Sequence, residues 1–385
     1  MRRFLLLALV LLVGCSRGDK SGTKPLIDEP SSCGRLLVVT TDFTSGSVAV
    51  LDADSTLAVR SDLQAIHADA AARAHGGLVY VVNRLGGDNI QVLDPAQDFR
   101  TVRQFSVGIG SNPHDIAFVA PDRAYVSRNA AASLLEIDPR SGAIRDSVDL
   151  SPLADADGVP DMDRLYFQDP YLYVAVQRID FNSPLYPPVP PSYLAVVDTR
   201  DNTLVDVDFI SDEIEGIVLQ GLNPCAPMVW DEDDAVLLVP EVGVYGSLDG
   251  GIEKVDLARR RSVGWLVREE DLGGDLIDFA ITSDGRGFAT VSGPTFATSL
   301  VAFDPATGAR GATLYASNAY DLADLAVTPC GYLFVCDRKY EASGLRVFHA
   351  DTGLPVAGVE QPISTGLPPF ELLFLEGTIQ GGASP

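Results

Sequence analysis

The sequence predicts an all-β fold, a seven-bladed β-propeller whose N- and C-terminal strands complete one blade. A strand ending in aspartate and a tight turn recurs along the chain. It occurs at Val50-Leu51-Asp52, Val92-Leu93-Asp94-Pro95, Glu136-Ile137-Asp138-Pro139, Val196-Val197-Asp198-Thr199, Lys254-Val255-Asp256, Phe303-Asp304-Pro305 and, with histidine at the aspartate position, Phe348-His349. Successive units lie 42, 44, 60, 58, 48 and 45 residues apart, the length of a four-stranded blade and too long for hexapeptide or leucine-rich repeats. The two ends of the body also complement one another: it begins on one kind of strand and finishes on the kind that precedes it.

Each element has a local reason. The aspartate carboxylate accepts backbone N–H groups of the following turn, and glycines such as Gly142 and Gly308 supply the positive φ that closes it. Ahead of each turn, a run of β-branched and aromatic residues predicts the second strand of a blade: Leu36 to Thr41, Leu78 to Val82, Ala124 to Ser127, Leu172 to Val176, Ala235 to Val239, Gly287 to Val291 and Tyr332 to Cys336. Shorter runs before most of these predict innermost strands lining a channel, as in His114-Asp115-Ile116-Ala117-Phe118 and Asp324-Leu325-Ala326-Val327. The body enters on a second strand and leaves on Phe370-Glu371-Leu372-Leu373-Phe374, an innermost one, so closure leaves no long sheet edge open. Residues 34–376 are thereby expected to form one domain, and residues 377–385 a disordered tail.

Residues 1–33 follow different rules. Arg2 and Arg3, the apolar run Phe4 to Val13, then Gly14 and Cys15 have the order of an export signal. The run is half the length of about 20 residues that a spanning helix needs. Leu12-Val13-Gly14-Cys15 resembles the lipobox of bacterial lipoproteins. This implies removal of a signal peptide, residues 1–14, lipidation of Cys15 and attachment to the membrane through that lipid. Residues 15–33 are polar and rich in breakers, a flexible tether that would hold the body roughly 20 to 25 Å from the lipid. Ser16 after the lipidated cysteine is compatible with sorting to the outer membrane.

The chain has 28 basic and 53 acidic residues, a net charge of −25, and loss of Arg2 and Arg3 with the signal makes it more negative still. Nucleic acid is thereby disfavoured as a partner, and a monomer is expected. Besides Cys15 there are Cys33, Cys225, Cys330 and Cys336. In an exported chain they permit disulfides without fixing the pairing, and their spacing fits no zinc pattern.

Leu78-Val79-Tyr80-Val81-Val82-Asn83, Asn89-Ile90-Gln91-Val92-Leu93-Asp94-Pro95 and Pro113-His114-Asp115-Ile116-Ala117-Phe118 resemble the YVTN-repeat family of seven-bladed propellers. The resemblance covers the propeller, is sharpest in blades two and three, and implies fold and an envelope location rather than an activity.

In a propeller, the loops entering innermost strands and those joining second to third strands share one face and converge on the channel mouth. Aligning the innermost strands puts an acid at one position in six blades: Asp69, Asp115, Asp163, Asp278, Asp324 and Glu371, with Ala226-Pro227-Met228 interrupting in blade five. Six carboxylates around one opening repel unless something positive compensates them. The matching loops offer Arg84, Arg128, Arg178 and Arg338. Two readings follow: structural latches between acid and arginine, or a ring that binds a cation or polar ligand through Arg84, His114, Asp115, Arg128, Arg178, Asp324 and Arg338.

Asp155, Asp157, Asp161 and Asp163 lie within nine residues around Gly158. The stretch resembles short aspartate-rich calcium loops, with Ca2+ as the expected ion. It lacks the distal glutamate of an EF-hand, Tyr166 standing at the twelfth position, and an acidic surface loop without metal is the alternative. The proline-rich segment from Ile179 to Tyr193 predicts a stiff extended loop, and glycine-rich Val242 to Gly251 a mobile one.

No Gly-x-Ser-x-Gly occurs, and His67, His75, His114 and His349 show no pairing by spacing. The expectation is a non-enzymatic cell-envelope lipoprotein displaying a propeller that binds a small polar ligand, a cation or an envelope protein. The rival is a metal-dependent lyase or hydrolase acting at the channel mouth near His114 and Asp115, and a purely structural scaffold is the third reading.

Overall fold

A computed structural model describes residues 33–53, 56–208, 210 and 213–375; Cys15, the signal, most of the tether and the tail lie outside them. Seven antiparallel sheets follow one another around a channel. Blade one joins the two ends, in the order Pro369–Leu375, Arg35–Thr41, Gly46–Asp52 and Val59–Ile66 from the channel outward. Blade two runs Ala70–His75, Leu78–Asn83, Asn89–Asp94 and Arg100–Ser106, and blade three Pro113–Ala120, Arg123–Arg128, Ser133–Asp138 and Ala143–Asp149. Blade six, Asp275–Ile281 to Ala309–Ala316, is equally regular.

The other three depart from the pattern where the sequence carries insertions or breakers. Blade four has its outer edge split between Thr203–Val205 and Ile217–Val218. In blade five the innermost strand shrinks to Val229–Asp231, with Pro224 bridging Glu241 above it, ahead of Val236–Glu241, Gly251–Asp256 and Arg261–Arg268. Blade seven has three strands, Leu322–Val327, Tyr332–Asp337 and Gly344–His349, and its edge is covered by bridges from Phe348 to Pro355 and from Leu345 to Ile363.

The continuous apolar runs of the second and third strands reflect burial on both faces of each sheet. Along Leu36 to Val39, alternate residues enter different cores. Leu36 and Val38 pack with Phe334 and Val347 of blade seven, whereas Leu37 and Val39 pack with Ala72 and Val81 of blade two. The outer strands need no such pattern, and Ala143–Asp149 is exposed at most positions.

Closure is doubled. Leu36 pairs with Phe374 and Val39 with Glu371 across blade one, and a disulfide joins Cys33 to Cys330 in the turn leading to Tyr332 of blade seven. Cys225 and Cys336 are free thiols. The bridge spans 297 residues of sequence, so its loss releases a long loop in the unfolded chain. Cys33→Ser is expected to lower stability by about 2 to 5 kcal/mol, measured as a fall in the denaturation midpoint that reductant reproduces in the parent protein. An unchanged midpoint contradicts a closing role for the bridge.

Candidate functional site: the channel ring and the loop face

The aligned acids line the channel, and four of them do the same job. Asp115 Oδ2 accepts the main-chain N–H of Leu165 in the next blade at 3.0 Å. Asp278 accepts that of Leu325 at 3.2 Å, Asp324 that of Leu372 at 2.5 Å, and Glu371 that of Ala72 at 3.5 Å. An innermost strand has no sheet neighbour on its channel side, so its inward N–H groups need acceptors from elsewhere. The acids supply them one blade at a time, forming a hoop.

The charge of the hoop is compensated unevenly. Arg73 donates to Asp115 at 2.8 Å and to Glu371 at 2.7 Å; burial opposes its charge, but the two acids outweigh burial and raise its pKa. Asp163, buried, is held below its usual range by His114 and Arg164, with His114 Nδ1 at 3.1 Å and Arg164 Nε at 3.6 Å. Gln177 donates to Asp163 at 3.2 Å and to Asn223 at 2.8 Å, and accepts from Asn129 at 3.3 Å, so a polar belt crosses blades three to five. On the far side Asp278 and Asp324 lie together without an arginine. Burial raises both, Asp324 well above the ordinary range because Asp278 adds to the effect.

Arg73 and Arg164 were not among the sequence candidates, because they sit on innermost strands and not on the loops. The one signal was their position as lone cations in inward-facing runs. Of the four loop arginines, only Arg84 meets a ring acid, Asp69, at 2.6 Å. Arg128 donates to the Ser133 carbonyl at 2.7 Å and Arg178 to that of Pro191 at 2.9 Å. Arg338 donates to Pro369 and Thr41 carbonyls at 3.1 and 3.0 Å and lies 4.4 Å over the Phe43 ring. These three clamp loops.

The aspartate-rich stretch is divided among different tasks. Asp163 belongs to the channel, and Asp161 is buried and accepts the Ile179 N–H at 2.6 Å. Asp155 and Asp157 cap their own turn, accepting from the N–H groups of Asp157 and Val159. Among the described residues, no three His, Cys, Asp or Glu side chains converge to hold a metal ion. Cys225 borders the belt, its carbonyl accepting from Arg164 at 3.4 Å, and burial pushes its thiol up to about 12.

Two loops differ from expectation. The proline-rich segment doubles back: Ile179 bridges Pro188, Val189 N–H donates to the Arg178 carbonyl at 2.6 Å, and Phe181 packs on Tyr186. Its free N–H groups find acceptors across the turn, which an extended segment would not allow. The glycine-rich loop 242–250 is pinned, with Val244 N–H on Asp249, Gly246 N–H on Asp275 and Gly250 N–H on Glu269, each at 2.9 Å.

The loop face that these residues support is apolar in a directed way. Among the described residues seven aromatics are largely exposed: Phe43, Phe181, Tyr186, Tyr245, Phe296, Tyr320 and Tyr340, up to 96% for Tyr340. All seven lie in loops that join second to third strands or enter innermost strands, hence on one face, with Leu85, Ile109 and Leu185 beside them. The loops of the opposite face present Leu354 as their one large exposed hydrophobic among the described residues.

A propeller with a latched channel and one apolar loop face is the class of protein defined here. No family model matches the chain, and no curated protein matches it. Among solved structures it is similar to a functionally unknown protein from Desulfotomaculum acetoxidans, at TM-score 0.54 and 11% identity, covering 89% of this chain and 98% of that one. Hydrazine synthase from Kuenenia stuttgartiensis is similar at TM-score 0.53 and 18% identity, over 72% and 74% of the two chains. Apo AztD from Citrobacter koseri reaches 0.50 at 14%, over 88% and 96%. Likeness at these identities shows the fold alone.

Two outcomes follow. Asp115→Ala orphans the Leu165 N–H and half of the Arg73 pairing, and is expected to cost about 2 to 4 kcal/mol in denaturant unfolding. Asp115→Asn, which keeps an acceptor, should cost less, and equal losses would contradict the latch. Burial pushes Asp161 up to about 7 and Glu269 up to about 8, so the folded state keeps protons that the unfolded chain releases near pH 4. Their stabilising effect is complete below that and is lost as pH rises through about 7 and 8. The thermal midpoint should therefore fall from about pH 5.5 to about pH 9, with the decline shallower in Glu269→Gln; a midpoint that rises over this range contradicts the assignment.

Proposed function

We propose that this chain is a cell-envelope lipoprotein of the YVTN-repeat kind whose propeller binds a partner protein through its aromatic loop face, without catalysing a reaction. The observation that carries this reading is the confinement of the exposed aromatics to one face. Scattered apolar residues on a surface need no explanation, but a concentrated set with aromatic anchors is the usual composition of a binding surface. The same loops carry exposed Asp42, Asp157, Asp249, Glu270, Asp271 and Glu341, while Arg84, Arg128, Arg178 and Arg338 are engaged within the protein. A partner with lysine or arginine beside apolar side chains is complementary to that surface.

The small-ligand and enzyme readings draw on the ring, and both lose support from its bonding. Asp115 is committed to Arg73 and the Leu165 N–H, and His114 to Asp163. The lipid anchor rests on Cys15 and its flanking motif.

A photo-crosslinking side chain placed in living cells at position 43, 296 or 340, and as a control at 354 on the opposite face, tests the binding surface. Discrete adducts to one basic protein from the first three positions and none from 354 are expected. Equal labelling from both faces, or none from the loop face, contradicts the proposal. For the anchor, Cys15→Ser is expected to abolish incorporation of labelled fatty acid and release the protein from membranes; undiminished labelling contradicts lipidation.

A further inference from the structure

The loop that presents Tyr245 emerges from a set of buried acids that neither the ring nor the face explains. Loop 242–250 begins directly after Glu241, the last residue of the blade-five second strand. Glu241, Glu253 and Glu269 are all fully buried. Glu269 is satisfied, accepting the N–H groups of Gly250 at 2.9 Å and Leu276 at 2.6 Å. Glu253 Oε2 accepts from Gln220 at 2.8 Å and Gly221 at 3.3 Å. Glu253 Oε1 and both oxygens of Glu241 are buried without a well-formed hydrogen bond, and the Gly221 N–H beside Glu241 is already taken by Glu253 Oε2.

Strand register allows a comparison between blades. In blade two, Val81 lies opposite Gln91, and Asn83, two residues on, donates its side-chain amide to that of Gln91 at 3.2 Å. In blade seven, Val335 lies opposite Arg346, and Asp337 pairs with the arginine at 2.6 Å. In blade five, Val239 lies opposite Glu253, so the corresponding pair is Glu241 and Glu253. Two carboxyls occupy a place that holds an amide pair and an ion pair elsewhere.

Ionised carboxylates only accept hydrogen bonds, and two unpaired buried charges in contact are strongly unfavourable. Among the described residues no ion pair reaches either carboxyl. Lys254 on the same strand pairs with Asp234, and Arg268 pairs with Glu270 and covers the Trp265 ring. Glu269 is the further acid acting on Glu241; around Glu269 in turn lie Asp249, Asp275 and the Cys225 thiol, and Arg164 beyond Cys225 pairs with Asp163. The space is also filled. A Cβ on Gly221 would lie 1.7 Å from Glu241 Oε2 and 2.7 Å from Trp265 Cη2, so the carboxyl and the indole both press on that glycine. The partner that fits needs no room.

We propose that Glu241 and Glu253 share one proton, and that this proton controls the order of loop 242–250 and hence the contribution of Tyr245 to the binding face. The regulatory half rests on the proposed function; the proton sharing does not. Burial first, and then Glu253, raise the Glu241 carboxyl well above its usual value, the direction that a retained proton requires. Deprotonation at higher pH sets two charges side by side, drives Glu241 away from Glu253 and loosens the loop that starts at Val242. Order at the face is thus greater at lower pH.

Trp265 touches the pair, and Trp230 is the other tryptophan of the chain. In a Trp230→Phe background, Trp265 emission is followed in the purified protein from about pH 3.5 to 9.5 while hydrogen-exchange protection of the Gly246 and Gly250 amides is measured in parallel, and the component that Glu269→Gln removes is subtracted. The expected result is an emission transition well clear of, and above, the ordinary glutamate range. Protection should fall by about tenfold or more through the same range. Both changes should vanish in Glu241→Gln, whose amide can donate to Glu253 as Asn83 does to Gln91, and in Glu253→Gln, which serves should the first variant not fold. A transition near pH 4.5, none at all, or one that survives both variants overturns the shared proton. Level protection through the emission transition overturns control of the loop. Absence of crosslinking from positions 43, 296 and 340 beside the expected titration would count against the binding face alone.

Discussion

The interaction on which the rest of this structure depends is the handing of a main-chain N–H from one blade to a carboxylate of the blade before it. Blades in a propeller do not share sheet hydrogen bonds, so their apolar faces could slide without losing much area. Asp115, Asp278, Asp324 and Glu371 remove that freedom by fixing the height at which each innermost strand meets the next. Apolar packing between blades supplies most of the favourable free energy; the directional bonds at the channel select one arrangement of it.

This constraint also decides where binding can occur. The ring acids are spent on main-chain N–H groups and on Arg73, Arg84, Arg164 and His114. The channel mouth is consequently a structural hub, and the recognition surface proposed above is the loop layer over it. The loops themselves are held by arginines bonded to carbonyls and by carboxylates bonded to N–H groups, as at Arg338 and Asp275. Aromatic side chains can then be displayed from a rigid base, which lowers the entropic cost of binding through them.

Much of the fold was legible in the sequence because double-sided burial writes long apolar runs, and because Asp52, Asp94, Asp138 and their counterparts mark the turns at blade spacing. The position of the ring acids was legible for the same reason, since equivalent places repeat. The partners of those acids were not. Arg73 and Asp115 lie in different blades and nothing in their spacing announces the pair, while Arg164 follows Asp163 directly, an adjacency that does not say the two meet at the channel. The stretch from Asp155 to Asp163 reads as one cluster, yet the chain turns inward within it and sends Asp163 to the channel while Asp155 stays at the surface. Exposed aromatics such as Phe43, Phe296 and Tyr340 share no sequence motif and become a set only when the blades place their loops on one face. Glu241 and Glu253 carried a local signal, acids within otherwise apolar middle strands, but their contact depends on register.

The ring holds the fold, and the loop face is proposed to bind: a division of labour between two parts of one propeller. That division is tested most directly by measuring unfolding free energy and partner crosslinking side by side in two variants, Asp324→Ala in the ring and Tyr340→Ser on the face. Opposite results are expected: Asp324→Ala loses stability and, where folded, still crosslinks through position 43, whereas Tyr340→Ser keeps its stability and loses the adduct. A ring variant that remains fully stable but no longer captures the partner would contradict that division.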